Sequence, residues 1–138
     1  MYPAELVAPM RAELTQLGFN EATSIDQVDS LVNQSGTVLV VLNSVCGCAA
    51  GSMRPGVRKA LETAQKKPSH LVTCFAGVDK EAVEQARKYM LPYPPSSPSI
   101  ALFKDGKLVH LLERRHIEGR SADVIADNLS QAFQTYCD

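Results

Sequence analysis

The sequence lacks an excess of charge of either sign and lacks a long apolar run. Its 138 residues carry 14 Lys and Arg against 15 Asp and Glu, which gives a formal net charge of -1. A surface that binds nucleic acid or an anionic membrane relies on a larger basic field, so neither is expected as the main partner. No apolar run approaches the roughly 20 residues that a membrane-spanning helix requires.

The first residues also lack the signature of a secretory signal. Residues 1–5 contain no basic region followed by an apolar stretch, so we expect a soluble, cytoplasmic protein without a leader. With 45% hydrophobic residues and no linker, internal repeat or low-complexity segment, the chain is long enough for one well-buried core and too short for two comfortable domains. We predict a single domain over residues 1–138.

Cysteine is scarce and unevenly placed. The four cysteines are Cys46, Cys48, Cys74 and Cys137. They are too few for the disulfide scaffold of a small secreted protein. In a reducing cytosol, two cysteines separated by one residue more often bind a metal or take part in redox chemistry than staple a fold.

Hydrophobic periodicity and turn residues predict an alternating order of helices and strands. The first half of the chain is predicted to form a helix over 3–17, a short edge strand over 19–22, a helix capped by Ser24 with Ile25, Val28, Leu31 and Val32 inward, and a buried strand over 37–42. A helix over 48–66, kinked at Pro55 with Met53, Val57, Leu61 and Ala64 inward, is followed by a strand over 70–76 and a helix capped by Asp79. The last part is predicted to form a rigid loop over 92–98, a hairpin of strands over 100–103 and 108–112 joined at Asp105-Gly106, and a helix capped by Ser121 with Val124, Ile125, Leu129, Ala132 and Phe133 inward.

This order predicts a fold of class α/β. Parallel βαβ units followed by an antiparallel hairpin and a closing helix form a mixed sheet flanked by helices. That is the order of the thioredoxin-like fold, here with an extra N-terminal helix.

The segment Cys46-Gly47-Cys48 lies where the buried strand ends and the next helix begins. Unpaired N–H groups and the positive dipole end of a helix N-terminus favour thiolate over thiol. A disulfide across one glycine requires backbone distortion, which Gly47 can accept, and the strain raises the reduction potential. We therefore predict a redox-active pair, with Cys46 as the more exposed and more acidic thiol.

Other interpretations of the cysteines stay open at this point. The pair could be two inert small residues, or it could chelate a soft metal. Further metal ligands would have to come from Cys74, Cys137, His70, His110 and His116, none of which repeats a close pair. We expect Cys74 to be a buried structural thiol and Cys137 to be exposed. Cys137 could resolve a mixed disulfide only if the last helix ends near the active turn.

The longer motifs resemble those of the bacilliredoxin family. They are Asn43-Ser44-Val45-Cys46-Gly47-Cys48-Ala49-Ala50-Gly51, Phe75-Ala76-Gly77 and Pro95-Ser96-Ser97-Pro98-Ser99, and the resemblance covers essentially the whole chain. It implies removal of bacillithiol from mixed disulfides on other proteins, with bacillithiol and S-bacillithiolated proteins as partners and no cofactor or metal. Cys46 would attack, Cys48 would close the disulfide, and Pro98 would be a cis proline opposite them, with Ser97 and Gly47 beside the substrate. Unlike ordinary thioredoxins, the chain has no Trp before the pair.

Two further questions concern function. A general disulfide oxidant or isomerase is the nearest alternative activity, and a metal-binding module is a more distant one. The basic residues Lys104, Arg114, Arg115 and His116 either contact carboxylates of a small thiol or form a solvated charge cluster, and we expect the cluster.

Overall fold

The computed structural model describes residues 2–138. In chain order the elements are α1 (Ala4–Thr15), β1 (Asn20–Glu21), α2 (Ile25–Val32), β2 (Thr37–Asn43), a π-helical turn (Ala49–Met53), α3 (Arg54–Thr63), β3 (His70–Phe75), α4 (Lys80–Lys88), β4 (Ser99–Lys104), β5 (Lys107–Leu112), α5 (Arg114–Ile117) and α6 (Ala122–Tyr136). Within residues 2–138, no helix combines the length and the apolar character needed to cross a bilayer.

Among the described residues, the sheet has five strands in the order β1-β3-β2-β4-β5. β2 pairs in parallel with β3 and antiparallel with β4, and β1 pairs in parallel with β3 at the edge. All seven residues of β2 are buried, as expected of a central strand covered on both faces. The predicted mixed sheet, edge strand and leading helix are confirmed.

Alternate residues of β2 face two separate cores. Leu39 and Val41 pack with residues of α1, α3 and α6, whereas Val38 and Val40 pack with residues of α2 and α4. Side chains alternate across a strand, so one strand can anchor both helical layers. The end of β2 is consequently held between the two layers.

The predicted hairpin forms as expected. Asp105 and Gly106 both have positive φ, 50° and 81°, which is the conformation that a two-residue type I′ turn requires. The turn is fixed to the loop before β2, since Gly36 N donates to Asp105 Oδ1 at 2.8 Å.

Two predicted core positions are wrong. Ile25 and Val124 are 43% and 53% exposed. Both lie in the first turn of their helices, in which Val28 and Ile125 are the buried positions. Apolar character at helical spacing places them on the buried stripe, although only part of each first turn contacts the core.

The helix predicted over 48–66 is divided and ends at Thr63. Its first part is the π-helical turn, in which Arg54 N donates to Ala49 O, five residues back. Pro55 then stands in the first turn of α3, where its missing N–H costs little. The irregularity predicted at Pro55 therefore lies just before this residue, in the wider π-helical turn.

Asp79 precedes α4 but its carboxylate does not cap the helix. It accepts hydrogen bonds from both terminal nitrogens of Arg11, at 3.0 and 2.8 Å, and from Phe75 N at 2.9 Å. The predicted cap is wrong because a half-buried guanidinium from α1 offers charge-assisted bonds, which are stronger than a cap to a neutral N–H.

Candidate active site

Cys46 and Cys48 lie at the carboxyl end of the central strand β2. Both are free thiols, and both are half-buried while Gly47 between them is exposed. Ala49 N and Ala50 N donate to Cys46 O, at 3.1 and 3.2 Å, so helical structure begins directly after Cys46. The expected strand, turn and helix start are all present.

Gly47 does not use the conformational freedom expected of it. Its φ lies outside the left-handed region, and a Cβ added there would meet nothing within 4 Å. The expectation concerned closure of the disulfide, and in the dithiol form this residue is already helical. Its missing side chain leaves open space next to the two sulfurs.

Hydrogen bonds stabilise the thiolate of Cys46. Burial alone would raise its pKa, but hydrogen bonds from the Cys48 thiol, from Ala49 N, from the Ser44 hydroxyl and from Cys48 N together lower it below the ordinary value. Donors at a helix start act in this way because they pair with the charged form.

Cys48 is shifted in the opposite direction. Burial raises its pKa, and donation to Cys46 and the charge of Cys46 raise it further, against the lowering effect of Arg114. Because the pKa of Cys46 is lowered and that of Cys48 is raised, Cys46 ionises first and Cys48 keeps its proton to higher pH.

A buried arginine holds the turn from below. Arg54 is 3% exposed, and its Nη1 donates to Ser44 O at 2.9 Å and to Asn43 Oδ1 at 3.0 Å. The same Asn43 oxygen accepts from Ser44 N at 2.9 Å, and Ser44 Oγ accepts from Cys46 N at 3.2 Å. Hydrogen bonds thus connect Arg54 to Cys46 through Asn43 and Ser44.

The extra N-terminal helix closes this network. Glu13 Oε2 lies 3.1 Å from Arg54 Nε, and Asn43 Nδ2 donates to Met10 O at 3.1 Å. The Nε–H does not point at the carboxylate, so the contact is an ion pair rather than a hydrogen bond. Helix α1 therefore supports the residues immediately before Cys46.

Pro98 lies at the same end of the sheet. The Ser97–Pro98 peptide is cis, and Pro98 is buried. Leu42 pairs with Ser99, the first residue of β4, so Pro98 is beside the end of β2 that leads to the thiols. A second cis peptide, Leu91–Pro92, occurs in the same loop, and the sequence did not single it out.

The remaining cysteines are separate from the pair. Cys74 is buried, as predicted, and burial raises its pKa to about 12. Cys137 is 3% exposed, so the prediction that it is exposed is wrong. It lies near Thr37, at the start of β2, roughly 20 Å from the other end at ~3.3 Å per residue. Cys137 is therefore too far away to resolve a bond to Cys46.

No third metal ligand joins the pair within residues 2–138, where no group of three or more His, Cys, Asp or Glu side chains comes together. The basic cluster of the sequence is also divided. Arg115 pairs with Glu113 at 3.4 Å, and His116 Nδ1 accepts from Glu113 N. Arg114 instead extends toward the loop of Ser97, to which its Nη1 donates at 3.3 Å.

Sequence reasoning missed Arg54 and Glu13, and it expected Arg114 in a solvated cluster. The one signal for Arg54 is its spacing: a charged residue eight positions after Cys46 lies on the side of the helix where Val57 and Leu61 are apolar. A charge on an apolar stripe requires a buried partner, and here the partners are Asn43 and Ser44.

Comparison with known proteins agrees with this geometry. A family model described as "Disulphide isomerase" matches residues 2–137. The chain is 62% identical over 133 residues to the bacilliredoxin of Cytophaga hutchinsonii, covering 96% of this chain and 98% of the relative. It is 50% identical to a bacilliredoxin of Bacillus cereus, covering 99% of this chain and 95% of the relative.

Solved structures show the fold. Oxidised mitochondrial thioredoxin 3 of Saccharomyces cerevisiae matches with a TM-score of 0.59 at 17% identity, over 89% of this chain and 98% of that chain. Oxidised thioredoxin of Plasmodium falciparum matches with a TM-score of 0.56 at 22% identity, over 87% and 99%. The predicted thioredoxin-like fold is confirmed. The chain belongs to the bacilliredoxin family and is a thiol–disulfide oxidoreductase.

Proposed function

We propose that this protein removes bacillithiol from mixed disulfides on other proteins, with Cys46 and Cys48 as its reacting thiols. The observation that carries the proposal is the placement of two free, half-buried thiols on either side of exposed Gly47, directly after the end of β2. The hydrogen bonds there lower the pKa of Cys46, whereas the pKa of Cys48 is raised. Support for bacillithiol comes from relatives named bacilliredoxin over nearly the full chain.

In the first step the Cys46 thiolate attacks the bacillithiol sulfur of the mixed disulfide. A new S–S bond joins Cys46 to bacillithiol, the old S–S bond breaks, and the substrate protein leaves as a thiolate that takes a proton from water. Hydrogen bonds that lower the pKa of Cys46 raise the fraction of molecules whose thiolate can attack.

In the second step Cys48 loses its proton to solvent and attacks the Cys46 sulfur. Bacillithiol leaves as a thiolate, and a Cys46–Cys48 disulfide forms. Two electrons have then moved from the pair to the original mixed disulfide. Once Cys46 carries a neutral mixed disulfide, the charge that raised the pKa of Cys48 is gone, so the second thiol becomes more acidic when it is needed. A second low-molecular-weight thiol can instead attack the bacillithiol sulfur, which forms a disulfide between the two small thiols and releases Cys46 as a thiolate.

The substrate would lie over Gly47 and along the loop that ends in Ser97 and Pro98. Gly47 is exposed and leaves free space beside the sulfurs. The loop lies at the same sheet end as Cys46, on the side of β2 that β4 occupies. A backbone approaching the pair from solvent would therefore meet both.

The test compares one substrate protein carrying either bacillithiol or glutathione on a single cysteine. We expect faster removal of bacillithiol, followed by mass spectrometry, and no removal by Cys46→Ser. Cys48→Ser should stop after one turnover with bacillithiol bound to Cys46. Equal or faster removal of glutathione would refute the substrate, and trapped bacillithiol on Cys48 would reverse the roles.

A general disulfide isomerase is the second candidate, favoured by the description of the family model. It predicts that the protein reactivates a test protein with scrambled disulfides at a rate comparable with removal of bacillithiol. We place the reaction in the cytoplasm, where a reducing pool keeps the pair in its dithiol form, and in a single domain spanning the whole chain.

A further inference from the structure

Arg114 is a cation beside the thiol pair for which the proposed chemistry has no role. It is the first residue of α5, and its Nη1 donates to Ser97 O at 3.3 Å. The pKa of Arg114 is raised by its hydrogen bond to Glu118, and then by the negative charges of Cys48 and Cys46. The guanidinium is therefore close enough to both sulfurs to interact with an anion held next to them.

The guanidinium of Arg114 has unused donors. Glu118 Oε2 accepts from Nε at 3.0 Å and from Nη2 at 2.9 Å, and Ser97 O accepts from Nη1. These three bonds leave one N–H on Nη1 and one on Nη2 without a partner among residues 2–138, out of the five that a guanidinium carries. The Arg114 side chain is 45% exposed, so an incoming ligand can reach them.

The pair with Glu118 is also easy to replace. The Glu118 side chain is 60% exposed and lies four residues along the chain. An exposed pair of this kind is weak because both charges are well solvated. A second carboxylate can therefore join Arg114 at its free donors or displace Glu118 at small cost.

We propose that Arg114 binds a carboxylate on the low-molecular-weight half of the mixed disulfide, and so selects small thiols that carry an acidic group near their sulfur. This inference rests on the proposed function. The low-molecular-weight half is favoured over the protein half because it stays on Cys46 after the protein leaves, close to the guanidinium. Arginine suits the task, since its planar fork matches a carboxylate.

Arg115 provides a matched control. It is the next residue, carries the same charge and has a side chain that is 75% exposed, but it pairs with Glu113. Over the part of the chain that the structure describes, Arg115 makes no hydrogen bond to the loop of Ser97 and contributes to neither thiol pKa shift. Loss of Arg115 changes the net charge of this region as much as loss of Arg114 does.

The experiment uses mixed disulfides between an uncharged cysteine peptide and either mercaptosuccinate or its dimethyl ester. The readout is the ratio of kcat/KM for the acid to kcat/KM for the ester, because any change in thiol acidity affects both substrates alike. We expect the wild-type ratio to exceed one and to fall roughly tenfold in Arg114→Gln, the size of one charge-assisted hydrogen bond. Arg115→Gln should keep the ratio, and Glu118→Gln should raise it by freeing Arg114.

A wild-type ratio of one or below would overturn the proposal, as would an Arg114→Gln ratio equal to that of Arg115→Gln. A fall of the ratio in Glu118→Gln would overturn it too. Failure of the proposed function gives a different result: the enzyme would prefer the acid over the ester, with dependence on Arg114, while failing to prefer bacillithiol over glutathione on a protein. All three positions are exposed, and circular dichroism of each variant checks its fold.

Discussion

Replacement of Arg54 by methionine tests whether the buried guanidinium holds the turn that precedes Cys46. Methionine fills the space of the arginine stem but donates no hydrogen bond. Asn43 Oδ1 would keep its bond from Ser44 N, whereas Ser44 O would lose the donor that lies 2.9 Å away. A buried carbonyl would then be left without this partner.

The size of the loss follows from these contacts. Two hydrogen bonds from a charged donor contribute roughly 1.5 kcal/mol each. The Glu13 side chain is 45% exposed, so its carboxylate regains water and adds little. Apolar packing of the methionine end offsets about 1 kcal/mol, which leaves a net loss of about 2 kcal/mol. At about 4 °C per kcal/mol for a chain of this size, Tm should fall by about 8 °C.

Urea unfolding of the dithiol form, under reducing conditions, measures this free energy. Arg58→Met is the control, because Arg58 is exposed on the same helix α3, and it should stay within about 0.5 kcal/mol of wild type. Arg54→Met should also slow alkylation of Cys46 at neutral pH, since the turn that carries its donors is loosened.

The reasoning fails if Arg54→Met costs no more than Arg58→Met. It also fails if Glu13→Gln costs as much as Arg54→Met, because the ion pair with α1 and not the carbonyl contact would then hold the turn.

Three shorter predictions follow from the same structure. The alkylation rate of Cys46, measured against pH by mass spectrometry, should have its midpoint below that of an ordinary thiol, because the folded-state pKa of Cys46 is lowered. Ser44→Ala should move this midpoint upward. An unmoved midpoint would show that the Ser44 hydroxyl is not one of the donors. Cys48 in the dithiol form should have its midpoint above the ordinary value. Gly56→Ala should lower the free energy of unfolding in urea by about 1–3 kcal/mol, because the added Cβ would lie 2.7 Å from a side-chain carbon of α6. In the control Gly51→Ala the added Cβ meets nothing within 4 Å, so the loss should be less than about 0.5 kcal/mol. Equal losses in the two variants would show that α3 and α6 separate easily.

The sheet was predictable because its signals are local. The run Thr37–Asn43 is apolar at nearly every position and rich in β-branched residues, so it has few alternatives to a central strand. Asp105-Gly106 supplies the positive φ values that the hairpin needs. The position of Cys46-Gly47-Cys48 then follows from the strand end. These features depend on neighbours in the chain.

The errors fall where partners come from distant parts of the chain. Asp79 is drawn away from its helix by Arg11, 68 residues earlier, and Cys137 is covered by a core that no local pattern describes. Arg54 belongs to the site only because α1 and the end of β2 meet above it. Side-chain pairing across the fold decides such positions, and periodicity carries no record of it.

The fold sorts four chemically identical sulfurs into two groups by environment alone. Two face solvent around Gly47, and two are enclosed, 1% and 3% exposed, one in each helical layer. The number of sulfurs that react with a small dye is consequently a gauge of how far the molecule has opened. If more than two sulfurs react, one of the helical layers has opened transiently. Reaction of Cys74 indicates opening on the side of α2 and α4, and reaction of Cys137 indicates opening on the side of α1, α3 and α6. No label has to be engineered into the chain for this measurement.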